Sequence, residues 1–98
     1  MAKRKLKWQP QAQADLQEIG DYIAKDSPKN ARAFIRRLKL AARRFRGFPE
    51  AGWVVENLRV SDVREILFGN YRIVYKLKPN AVEIITVVHA AREFPDFS

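Results

Sequence analysis

REILFGNYRIVYKLKPNAVEIITVVHAAR, residues 64 to 92, decides how this chain folds. Three runs, 63–68, 71–78 and 82–89, are rich in β-branched and aromatic residues and are parted by Gly69-Asn70 and Pro79-Asn80. Runs of that kind read as strands, and the short Gly-Asn and Pro-Asn pairs read as the turns between them. The stretch also carries the residues with recognisable chemistry: Arg64, Arg72, His89 and Arg92.

Working back from it, the N-terminal half is helical. Residues 4 to 8 alternate apolar with basic side chains and read as a short edge strand. Pro10 opens a helix at the first-turn position, where a missing N–H costs nothing. Ala12, Leu16, Ile19 and Ile23 then recur at helical spacing to about Ala24. Asp26-Ser27-Pro28 stops that helix and starts another, with Ser27 as N-cap and Pro28 as first residue. In the second helix, to about Arg46, Ala31, Phe34, Ile35, Leu38, Ala41, Ala42 and Phe45 make one apolar stripe. Gly47 to Trp53 breaks it, with Phe48 and Trp53 expected to tuck under the domain. Residues 54–61 read as an irregular linker with room for a short strand. The expected fold is a single α+β domain over residues 1–98. Its order is β-α-α-β-β-β, a helical hairpin packed on one face of a small antiparallel sheet.

Composition narrows the function. With 47% hydrophobic residues the 98-residue chain can bury a real core. The absence of cysteine excludes disulfides and thiolate metal sites, and one histidine makes a conventional zinc site hard to build. No metal or cofactor is expected. The basic N-terminus lacks the apolar run of a secretory signal, and no apolar stretch approaches the roughly 18 residues that span a bilayer. The expectation is a soluble, cytoplasmic protein with no membrane partner.

The net charge of +8 is unevenly spread. Residues 1–46 hold thirteen Lys/Arg against four acids, and between Ser27 and Pro49 there are eight basic residues and no acid. A field of that sign draws phosphates or an acidic protein and speeds encounter with either. The basic side of the second helix, with Arg32, Arg36 and Arg43, reads either as a nucleic-acid or partner-binding face or as a solvated back. The second is favoured, with part of the charge paired to acids of the first helix.

In the middle strand Tyr71, Ile73, Tyr75 and Leu77 share one face, and Arg72, Val74 and Lys76 the other. The larger, more apolar set should face the helices and leave Arg72 on the open side. There it suits a bidentate phosphate clamp or, equally well, a structural pair with Glu65 or Glu83. His89 could transfer protons near neutrality, though a lone strand-end histidine is more often packed or capping.

The ordered set of ADLQEIGDYIAKDSPKNARAF (14–34), FPEAGWVVENL (48–58), VREI (63–66), YRIVY (71–75) and VEIITVVHAAR (82–92) resembles the ParE/RelE superfamily of bacterial toxins from type II toxin–antitoxin systems. The resemblance covers nearly the whole chain and implies the same helical hairpin on a small sheet. It also implies one of two activities. RelE-like members cut messenger RNA in the ribosomal A site. They hold phosphate with cationic groups and supply a base and an acid for attack by the ribose 2′-OH. ParE-like members, used in plasmid stabilization, poison DNA gyrase with no reaction of their own.

Under the nuclease reading, Arg72, His89 and Arg92 are the catalytic candidates, with the ribosome and mRNA as partners. The two strand lysines of RelE-like sites correspond to Val63 and Glu65 here, and the chain ends Phe94-Pro95-Asp96-Phe97-Ser98 without the tyrosine of those enzymes. A carboxylate in place of a phosphate-binding lysine repels where it should attract. The ParE-like reading is therefore favoured, with Arg32, Arg36, Arg43, Arg64, Arg72 and Arg92 as candidates for binding target or partner. Either way the resemblance implies a hetero-oligomer with a cognate, ParD-like antitoxin. The charge asks that its C-terminal segment be acidic.

Overall fold

The computed structural model describes residues 4–47, 53–54 and 63–90. The chain order is β1 (Lys5–Trp8), α1 (Pro10–Ala24), α2 (Pro28–Phe45), β2 (Trp53–Val54), β3 (Val63–Phe68), β4 (Tyr71–Lys78) and β5 (Ala81–His89). Both helices start at a proline, as the sequence asks. At α2 the Ser27 side chain accepts a hydrogen bond from the Asn30 amide at 3.2 Å, which satisfies one of the first-turn donors. Gly69 turns the β3–β4 hairpin at φ +58°, a conformation that L side chains rarely adopt.

The strands form one sheet in the order β1-β5-β4-β3-β2. The pairs β2–β3, β3–β4 and β4–β5 are antiparallel, as expected. β1 departs from that pattern by pairing parallel with β5, Lys5 opposite Ala81 and Trp8 opposite Ile84. The sheet is therefore mixed. The helical hairpin returns the chain, and the next strands fill the space so that β5 alone meets β1. Amides at both ends fix the docking, Lys5 donating to the Asn80 carbonyl and Gln9 to that of Ile84. The two-residue β2 extends the far edge beyond the three expected C-terminal strands, with Trp53 opposite Glu65.

The core lies between the helices and one sheet face. Ala12, Leu16 and Ile19 of α1 and Leu38 and Ala42 of α2 meet Ile73, Tyr75, Val82, Ile84 and Val87. Phe34 packs tilted against both Phe68 and Tyr71, and Phe45 meets Tyr75 edge-on at 5.4 Å. The expected inward set of β4 is thus the observed one. The opposite face is less open than the sequence suggests, since Val63 and Val74 are buried there too. The turn at 48–52, the linker at 55–61, the packing of Phe48 and Trp53, and the tail from residue 91, Arg92 included, lie outside the described residues.

The alternation on β5 is interrupted once. Ile73 faces Val87 and Tyr75 faces Ile84, so β5 spends one residue more than β4 over that interval. This is a β-bulge, which upsets local pairing and leaves donors to be satisfied elsewhere. Asp15 of α1 does so. One carboxylate oxygen accepts from the Thr86 hydroxyl and from the Val87 amide, the latter at 2.9 Å. Thr86 is 1% exposed.

Candidate functional site

The strand candidates do not converge. Arg72 stands opposite Leu67 and Val88, on the face away from the helices. Its guanidinium lies 3.9 Å from a Glu65 carboxylate oxygen, both side chains being half-buried. Glu65 is therefore the partner that the sequence left open against Glu83. Glu83 is held instead by Lys78 at 3.1 Å and by the Gln9 amide at 3.0 Å. The Lys78 bond lowers the Glu83 pKa below its ordinary value, with Gln9 and Lys7 helping and partial burial opposing.

His89 stands opposite Tyr71, on the helix-facing side, and its exposed ring meets Tyr71 edge-on at 5.5 Å. Below it, the Ala90 amide donates to the Asn70 carbonyl at 2.7 Å and closes the strand end. His89 and Arg72 thus point to opposite faces of the sheet. Arg64 shares the helix-facing side with His89 but stands opposite Tyr75, four residues along β4 from Tyr71. That places the two about 13 Å apart along the strand.

The helix candidates do converge. Arg32, Arg36 and Arg43 flank a cleft of about 1010 Å³ between α1 and α2, whose lining includes Leu16, Ile35 and the exposed Leu40. All three arginines are exposed. Among the described residues the ion pairs are Arg72–Glu65 and Lys78–Glu83, and neither involves α2. The expected pairing of the basic face with α1 acids is not observed. Asp15 bonds inward to β5 and to Gln11, while Asp21 accepts from Gln17 on its own helix. Asp15 is the residue that sequence reading passed over, since nothing in the pattern of α1 announces a bulge on β5. Among the described residues no three His, Asp or Glu groups gather as a metal site, and no helix is long and apolar enough to cross a membrane.

Comparison with known proteins gives this arrangement a context. Residues 6–94 match the family described as "ParE toxin of type II toxin-antitoxin system, parDE". The putative toxin Y4kP of Sinorhizobium fredii is 32% identical over 97 residues, covering 97% of both chains. Toxin RelE2 of Caulobacter vibrioides is 37% identical over 86 residues, 87% of this chain and 93% of its own. The fold is similar to a chain of the chromosomal ParDE toxin–antitoxin system of P. aeruginosa. There the TM-score is 0.74 and the identity 20%, over 89% of this chain and 96% of the other. It is also similar to a chain of the RelBE2 toxin–antitoxin complex of Mycobacterium tuberculosis. That match has a TM-score of 0.63 and 21% identity, over 94% and 97% of the two chains. The chain belongs to the ParE/RelE superfamily and is a toxin of a type II toxin–antitoxin system, matched along nearly its whole length by the ParE toxin family.

Proposed function

We propose that this toxin arrests growth by poisoning DNA gyrase and is neutralised by a cognate antitoxin in the bacterial cytoplasm. The observation that carries the reading is the separation of the would-be nuclease groups. Arg72 is drawn to Glu65 on one face of the sheet, and His89 stands on the other. Cleavage by a ribose 2′-OH needs a proton acceptor and a phosphate-holding cation within hydrogen-bond reach of one phosphodiester. Val63 is buried and Glu65 offers a carboxylate beside Arg72, so neither supplies a cation. A gyrase poison needs only a binding surface, and the exposed arginines of α2 supply one.

The antitoxin reading rests on the company of the similar folds, which come from toxin–antitoxin systems. A surplus of basic residues over residues 1–46 suits an acidic antitoxin segment whose association weakens as salt rises.

The test adds purified protein to gyrase and relaxed plasmid, beside a coupled translation extract. Blocked supercoiling or accumulated cleaved DNA, with translation intact, is the expected outcome. Codon-phased cuts in translated messages, with gyrase untouched, would overturn the proposal in favour of a ribosome-dependent nuclease.

A further inference from the structure

The basic residues of α2 are ordered more regularly than charge content alone requires. Lys29, Arg32, Arg36, Lys39, Arg43 and the C-cap residue Arg46 follow one another at intervals of three and four residues. At about 100° per residue, that spacing keeps all six within one strip roughly 100° wide and about 25 Å long. Two more cations, Arg37 and Arg44, lie on a second line about 120° round the helix from the first. Between the lines run only Ala33 and the exposed Leu40. Apart from the half-buried Arg46, all of these cations are exposed, and α2 contains no acid.

We propose that α2 lies in the major groove of duplex DNA, the two cationic lines meeting the phosphates that border the groove on either side. The inference does not rest on gyrase being the target. A helix about 10–12 Å across fits the roughly 12 Å major groove of B-DNA, whereas the deep, narrow major groove of A-form RNA does not admit side chains in this way. Twenty-five ångströms of duplex axis carry about seven phosphates per strand, enough to engage each cation of the longer line. The residues aimed at the base edges, Ala33 and Leu40, make no hydrogen bonds with their side chains. Recognition is therefore of the backbone and independent of sequence. Apolar side chains also lie beside these cations, Ile35 and Leu40 in the cleft towards α1, so an acidic protein helix is the competing occupant that the experiment must separate from DNA.

Anisotropy of a fluorescein-labelled 20-base-pair duplex, titrated with the full chain at several salt concentrations, tests this. With the six cations of the longer line and the two of the shorter each on a phosphate, log K against log salt should fall with a slope near −7, about a ten-thousandfold loss between 50 and 200 mM. Two unrelated sequences should bind alike. Replacing three cations of the longer line (Arg36→Gln, Lys39→Gln, Arg43→Gln) should reduce the slope by about 3, and replacing the shorter line (Arg37→Gln, Arg44→Gln) by about 2. Circular dichroism and melting temperature confirm that the variants fold. No binding at 50 mM salt, or unchanged slopes in either variant, would overturn the proposal. So would equal affinity for an RNA duplex. Competition by poly-glutamate as strong, charge for charge, as by unlabelled duplex would assign the face to an acidic protein instead.

Discussion

Replacing Asp15 by alanine tests a polar contact that joins α1 to the irregular part of the sheet. The substitution leaves two donors behind, the Thr86 hydroxyl and the Val87 amide, beside a β-bulge and next to a residue only 1% exposed. Each buried donor stripped of its acceptor costs about 1–3 kcal/mol. The hydroxyl can rotate towards another acceptor and the amide cannot, so the sum should fall near 2–4 kcal/mol. For a domain of this size that is a drop in melting temperature of roughly 8 to 30 °C. Asp15→Asn keeps the shape and an acceptor oxygen while losing the charge, and should cost about 1 kcal/mol. The decisive comparison is a double-mutant cycle with Thr86→Val. Once the hydroxyl is gone, Asp15→Ala should become milder by about 1 kcal/mol or more. Urea denaturation followed by circular dichroism measures all four proteins, and amide exchange at Val87 should quicken in the alanine variant. A loss under 0.5 kcal/mol for Asp15→Ala, or simple additivity with Thr86→Val, would refute the reasoning.

Three further outcomes are expected. Gly20→Ala should stabilise the protein by about 0.5–1 kcal/mol, because a Cβ there would meet Ile35 Cγ1 at an ordinary 3.7 Å while glycine in a helix interior is unfavourable; a destabilised variant in thermal melts would show that α1 and α2 pack too tightly for it. Glu83 has its pKa lowered in the folded protein, mainly by Lys78. Its contribution is present above the unfolded value of about 4.5 and lost as pH falls through the folded one. The melting-temperature advantage over Glu83→Gln should therefore shrink on acidification, and a gap independent of pH would contradict the assignment. His89→Ala should keep growth arrest, since His89 and Arg72 leave the sheet on opposite faces; arrest abolished in a folded variant would restore the nuclease reading.

The amino-acid sequence by itself determined most of the local structure. Proline at both helix starts, Ser27 as cap and Gly69 in the hairpin act through neighbours in the chain, and each is found where the pattern puts it. The inward face of β4 was legible for the same reason, since strand alternation is a local rule. The apolar stripe of α2 likewise announced which side it buries. Tertiary structure alone decided what depends on partners far along the chain. The parallel seating of β1 on β5 joins residues more than seventy positions apart, and no periodicity in residues 5–8 encodes the direction of a neighbour. Glu65 and Glu83 were equal candidates for Arg72 until the registers of β3 and β5 placed one beside it and gave the other to Lys78. Asp15 looked like one more surface acid on α1. Only the extra residue of β5 creates the donors that it answers, and a bulge arises from the fit between two strands rather than from either one.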